Sequence, residues 1–163
     1  MTYTGKQFEQ DFKESFEPLP KNVTLLRLYD TTNGFRGIHN PCDFILGTKY
    51  GTIYVELKTT KETSLSFRNI TDAQWADLSV ADYSKYTHCG ILVYFQAYGK
   101  VYWYPISQLS QLRKAGAKSI NPTKLTHLGY PVPHVKKRVH IRLNFDAFVD
   151  IIGQGVEDLN GKS

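Results

Sequence analysis

The chain opens on a helical rhythm. In "TGKQFEQDFKESF" phenylalanines stand at 8, 12 and 16 with acids between them, so one face is apolar, and Thr4 stands where a side-chain oxygen caps a first turn. "EPLPK" ends this helix, and "VTLLRLYD" then predicts a strand. The segment "TTNGFRGIHNPC" follows, and its Asn-Gly step and Gly/Pro content forbid a long regular element. "CDFILG" and "GTIYVELKT" predict two strands joined by a tight "TKYG" connection with Gly51 at positive φ, the pattern of an antiparallel hairpin. After a polar lead-in, "SFRNITDAQWADLSVADYSK" predicts a helix with Thr71 as N-cap and Gln74 in the first turn. "HCGILVYFQAYG" and "KVYWYPISQLSQL" predict a second hairpin whose later strand runs into a helix after Pro105. The tail from Lys118 contains a Pro-rich loop followed by a basic strand or short helix.

This succession predicts an α/β fold, a mixed β-sheet core flanked by helices. No repeat, low-complexity segment or linker divides the chain, so one domain is expected over residues 1–163.

Composition agrees with a compact core: 41% of residues are hydrophobic and 21% charged. Lys and Arg (20) exceed Asp and Glu (15), a formal charge of +5 that permits an anionic partner, nucleic acid first, without requiring one. The eleven Tyr and nine Phe serve a core or a stacking surface equally. Cys42 and Cys89 form no metal-ligand spacing, and the five histidines lack any HExxH pattern, so no zinc is assigned. With no apolar run of about 18 residues and no apolar leader, a cytoplasmic protein with reduced thiols and no membrane partner is expected.

The strand "TIYVELK" carries the candidate chemistry. Residues i and i+2 share a face of a strand, so Glu56 and Lys58 point together while Val55 and Leu57 point to the other side. A hairpin can set Asp43 opposite, and two carboxylates and a lysine then converge. Asp43 and Glu56 suit Mg²⁺, a hard cation that takes oxygen ligands, with the backbone carbonyl of Leu57 as a further donor. Such an ion polarises a scissile phosphate and acidifies a bound water. Lys58 would orient that water or offset charge on the phosphoryl oxygens. The same three residues also fit an exposed edge strand facing water, so the neighbouring segments matter. Directly past the strand come Lys61, Thr63, Ser64 and Arg68, donors suited to phosphate oxygens. Gln74 could reach the attacking water or a phosphate, and Glu9 adds a carboxylate if the first helix packs beside the sheet. Lys136, Lys137, Arg138 and Arg142 form a basic patch that fits DNA arms or a solvated edge strand.

The order Asp43, then Glu56-Leu57-Lys58, then Lys61, Thr63, Ser64, Phe67, Asn69 and Gln74 resembles the active-site region of the PD-(D/E)xK nuclease superfamily, in particular the RecU family of Holliday junction resolvases. "GKQFEQDF" is similar to the Gly-x-x-x-Glu helix of that family, which makes Glu9 an auxiliary acid. Arg36 stands where the family has a functionally important arginine. The resemblance runs over about residues 4–110.

It implies a restriction-endonuclease-like fold and a Mg²⁺-dependent endodeoxyribonuclease, with Mn²⁺ as a substitute. The implied reaction is paired cutting of four-way junctions by a homodimer whose two-fold axis matches the substrate. The implied setting is the cytoplasm of a prokaryote or a phage-infected host cell. One feature departs from the family: only "YDTTNGFRGIHNPC" stands where a long stalk precedes the catalytic Asp, which fits a compact, phage-encoded type of member. Two other readings stay open, a restriction-like or repair endonuclease of broader branched or duplex DNA specificity, and a non-catalytic DNA-binding module. The intact carboxylates argue against the last, since a binding surface gains nothing by setting two acids beside phosphate without a cation between them.

Overall fold

A computed structural model of the chain describes residues 2–29 and 39–160, with side chains as far as residue 153. Helix α1 (Gly5–Glu14) begins where Thr4 and Gln7 cap each other: Gln7 N–H donates to the Thr4 hydroxyl at 3.3 Å and Thr4 N–H to the Gln7 amide oxygen at 2.8 Å. Its apolar face, with Phe8 and Phe12, is completely buried.

A six-stranded sheet forms the centre. It contains β1 (Thr24–Arg27), β2 (Phe44–Thr48), β3 (Gly51–Thr60), β5 (Thr87–Phe95), β6 (Lys100–Pro105) and β8 (Tyr130–Val132), in that spatial order. Strand β2 runs antiparallel to both β1 and β3, with Phe44 opposite Val55 and Thr48 opposite Gly51. Gly51 has φ 110°, and a Cβ there would stand 2.2 Å from the Tyr86 carbonyl oxygen, so only glycine serves this turn. Between β3 and the parallel β5 the chain passes through the two-residue β4 (Leu65–Ser66) and helix α2 (Asp72–Ala81), the crossover a parallel pair requires. Antiparallel β6 leads into α3 (Ile106–Lys114), as expected after Pro105. A short β7 (Ser119–Ile120) pairs with β4.

The tail is richer than its sequence suggested. It holds β8, a separate hairpin of β9 (His134–Lys137) and β10 (His140–Leu143), and then helix α4 (Phe145–Asn160). The basic strand is therefore present, but the short helix offered as its alternative is a further and longer element. Its signal was Phe145, Phe148, Val149 and Ile152 at helical spacing behind Asn144, whose side-chain oxygen accepts from Ala147 N–H at 3.0 Å.

Apolar side chains pack on both faces of the sheet. On one lie Phe8, Phe12, Phe44, Ile53, Val55, Leu57 and Phe148; on the other lie Trp75, Leu78, Ile91, Val93, Phe95 and Leu109. Strand β5 is buried on both faces, which is why "GILVYF" is an unbroken apolar run. Strand β3 alternates instead, and Glu56 breaks out of its apolar face pattern toward α2. Among the described residues no helix is long and apolar enough to cross a membrane.

Candidate active site

Glu56 sits near the middle of β3 and is only 4% exposed, one of two charged residues buried among the described ones. Both donors on it reach the same oxygen. Lys58 Nζ lies 2.9 Å from Oε1, and Gln74 Nε2 donates to that oxygen at 2.6 Å. The two-residue period of the strand accounts for Lys58. Gln74 arrives through helix capping: Thr71 accepts from Gln74 N–H at 3.1 Å while the Gln74 amide oxygen accepts from Thr71 N–H at 3.0 Å. With its oxygen committed to the cap, the amide can only present N–H to Glu56, and both ends of Gln74 are engaged.

Asp43 stands one residue before β2, and continuing the Phe44–Val55 register sets it opposite Glu56. Its carboxylate accepts the Leu57 N–H at 2.8 Å and its own N–H donates to the Val55 carbonyl at 3.1 Å. Leu28 N–H bonds its carbonyl at 2.9 Å, so β1 and β3 hold it from both sides. Leu57 thus gives its N–H to Asp43 and its side chain to the core.

The electrostatics follow from this crowding. Burial, and next the charge of Asp43, push the Glu56 carboxyl up to about 7, against the opposing pull of the Lys58 charge and hydrogen bond. Glu9 on α1 also raises it, so its charge reaches the site. Glu9 itself pairs with Arg27 at 2.5 Å, and that guanidinium lies 4.9 Å from the centre of the Tyr29 ring. Cys42, adjacent in sequence to Asp43, is buried; burial and the two carboxylates push its thiol up to about 12.

The residues expected to meet phosphate divide into two groups. Lys61, Thr63, Ser64 and Arg68 follow the end of β3. Lys61 Nζ lies 3.0 Å from the Thr2 hydroxyl, Ser64 accepts through its carbonyl from the Thr60 hydroxyl at 3.4 Å, and Thr63 and Arg68 are exposed. Lys136, Lys137 and Arg138 lie apart from these, exposed on the β9–β10 hairpin, whereas Arg142 of the same basic run turns inward to pair with Asp11 and Glu14. Arg36 lies outside the described residues.

Sequence reasoning passed over Asp11, which is fully buried. It accepts from Tyr3 Oη at 2.6 Å, Ile141 N–H at 2.9 Å and Arg142 Nη1 at 3.0 Å, and lies 2.9 Å from His140 Nδ1. Burial alone would raise its carboxyl, but the bonds from Tyr3, Ile141 and His140 outweigh that and hold it below the usual range. Its signal was position: 8, 11, 12 and 15 share one helical face. The network fastens the hairpin to α1, and hence to the helix that bears Glu9.

The donor set fits a hard, hydrated cation. Among the described residues no group of three or more His, Cys, Asp or Glu gathers as a metal cage. The site instead offers two facing carboxylates, with Glu56 raised first by burial and next by the Asp43 charge, which suits an ion that keeps several waters, as Mg²⁺ does.

The mixed six-stranded sheet and the helices that flank it form a restriction-endonuclease-like fold. In keeping with this, the structure is similar to that of Archaeoglobus fulgidus Hjc, a Holliday junction resolvase from an archaeal hyperthermophile, solved at 1.6 Å. The TM-score is 0.53 at 16% identity, over 76% of this chain and 93% of that one. The family model of RecU, Recombination protein U, matches residues 21–151, and the chain belongs to that family. No curated protein sequence matches the chain. The matched span extends past the region where the sequence resemblance was drawn, through β10 into α4. It leaves out α1, so Glu9 rests on the resemblance of the helix and on its charge at Glu56.

Proposed function

We propose that this protein is a metal-dependent endodeoxyribonuclease that resolves four-way DNA junctions by paired phosphodiester hydrolysis as a homodimer. The observation that carries the reading is the single Glu56 oxygen shared by Lys58 and Gln74, with Asp43 across the hairpin, in a chain of the RecU family. The similarity in fold to a protein described as a Holliday junction resolvase supports the same substrate.

Asp43, Glu56 and the Leu57 carbonyl would hold Mg²⁺, or Mn²⁺ in its place. When bound, the ion supplies Lewis-acid polarisation of the scissile phosphate and an acidified water. The remaining parts belong to the chain. Gln74 orients the Glu56 carboxylate, and Lys58 places its ammonium where charge grows on the phosphoryl oxygens. Glu9 adds negative charge that favours cation uptake. Lys61, Thr63, Ser64 and Arg68 take phosphates beside the scissile one, and Arg36 positions the strand. A single nuclease domain over residues 1–163 acts in the cytoplasm on branched DNA.

The test compares an immobile four-way junction, a Y-fork and linear duplex of the same sequences, with cuts mapped at nucleotide resolution. Symmetrically paired nicks near the crossover are expected. Equal cutting of all three would favour the broader endonuclease, a reading to which the brevity of residues 29–42 lends support. Absence of any cutting with Mg²⁺ or Mn²⁺ would overturn catalysis altogether.

A further inference from the structure

The β9–β10 hairpin closes with a loop that local backbone preference does not explain. His140 pairs with Lys137, leaving Arg138 and Val139 as the two loop residues. Loops of this length favour Gly, Asn or Asp because they need positive φ. Arg138 nevertheless takes φ 57°, and Val139 is 52% exposed beside it. A costly residue at a turn points to work for its side chain. Lys136, Lys137 and Arg138 have no ion-pair partner among the described residues, so their charge faces outward uncompensated.

This tip borders a groove of about 230 Å³ lined by Thr2, Tyr3, Gln96, Lys136, Arg138 and Val139. The groove joins the end of the catalytic strand. Gln96 Nε2 donates to the Tyr3 carbonyl at 3.2 Å and to the Thr59 hydroxyl at 2.9 Å, Gln96 N–H bonds the Thr60 carbonyl at 2.9 Å, and Lys61 reaches Thr2. The four residue steps from Glu56 to Thr60 span about 13 Å of strand, and the groove lies beyond them on the Thr59 side, so the path from Glu56 to it takes several nucleotides, which rise about 3.4 Å each in a duplex. The hairpin does not hang free, since buried Asp11 binds His140, Ile141 and Arg142 to α1.

We propose that this groove is a second phosphate-binding site for the substrate strand, in which Lys136 and Arg138 grip the DNA backbone past the end of β3, several nucleotides from the scissile phosphate. The proposal rests on the nuclease reading for its register. Asp11 then acts as the spacer that fixes the distance between grip and cut. A loose hairpin would bind DNA without measuring it; an anchored one selects which phosphate lies over Glu56.

The experiment uses the full chain, a labelled four-way junction and three proteins: wild type, Arg138→Gly, and Lys136→Gln with Arg138→Gly. Binding is read by anisotropy in chelator across a salt series, together with hydroxyl-radical footprints. Arg138→Gly should melt at or above the wild-type temperature, because glycine suits the turn, yet bind roughly 3- to 10-fold more weakly. The slope of log affinity against log salt should fall by about one for the single variant and about two for the double. Footprint protection should vanish at phosphates away from the scissile one and persist beside it. Unchanged slope and footprint in the double variant, with wild type nicking the junction in Mg²⁺, would overturn the groove and leave the nuclease reading intact. Failure of wild type to nick would overturn the nuclease reading, while a lost footprint in the variants would still support the groove as a backbone contact.

Discussion

The side-chain amide of Gln74 holds Glu56 Oε1 at 2.6 Å, on the oxygen that Lys58 also approaches. A helix cap and a strand are thereby joined at one carboxylate atom, and the orientation of the acid depends on both. Gln74→Leu keeps the volume and removes the donor. The expected result is a single-turnover cleavage rate lowered about 10- to 100-fold and a loss of about 2 kcal/mol in urea unfolding, typical of a hydrogen bond to a charged group. An unchanged rate would make Gln74 a helix cap and nothing more.

Glu56→Gln and Asp43→Asn should each abolish cleavage by orders of magnitude while the fold survives. For Glu56 a pH signature accompanies the loss. Its carboxyl rises from an ordinary 4.5 to about 7, so the folded state keeps a proton that the unfolded state gives up. In metal-free wild type the contribution of Glu56 is then greatest below the ordinary value, falls as pH climbs through this window, and levels off above it. The total is on the order of 3 kcal/mol. Glu56→Gln should flatten this decline, and melting curves in chelator between pH 4 and 8 measure it. Parallel pH curves for the two proteins would contradict the burial argument.

Chelation should stop cleavage and leave junction binding in place, since the basic contacts do not depend on the ion. Mg²⁺ added back should also raise the melting temperature of wild type more than that of Glu56→Gln, through its preference for the folded site. Cleavage persisting in chelator would remove the metal from the proposal.

Lys58→Ala should lower the rate at saturating DNA more than it weakens binding, because its charge matters most as the transition state forms. It should also push Glu56 further up, since Lys58 is what lowers it, so a rate that needs the ionised carboxylate should require a higher pH than in wild type. A loss confined to affinity would make Lys58 a phosphate anchor.

Asp11→Asn leaves Arg142 and His140 facing a neutral amide in a fully buried position. A loss of about 3 kcal/mol is expected, the usual result of breaking one side of a buried pair. Because the Asp11 carboxyl is held low, its contribution is present above the ordinary carboxylate range and disappears as pH falls through the depressed value. Urea melts of wild type and variant should therefore differ at neutral pH and converge at acid pH. Limited proteolysis at the hairpin should accelerate in Asp11→Asn.

The parts of the fold legible in advance were those with local cause. Thr4 and Thr71 announced their helices because capping depends on residues three apart, and the β2–β3 hairpin announced itself through strand alternation and Gly51. The facing of Glu56 and Lys58 followed from the same alternation. What escaped was set by distant contact: Asp11 reads as one more acid on an amphipathic helix until β10, some 130 residues later, supplies its donors. Helix α4 escaped because proline and basic residues just before it masked a regular apolar spacing. The link from Gln74 to Glu56 joins elements 18 residues apart and became visible only once α2 was docked.

Strand β3 is bonded to β2 on one side and β5 on the other, so the amides around Glu56 lie in the interior of the sheet. Such amides exchange with solvent chiefly through opening of the whole molecule, whereas those of edge strand β1 exchange by fraying. Heat should therefore not wear the enzyme down gradually. Catalytic competence and the intact sheet should disappear in one step, and a chain that still holds its shape should still cut.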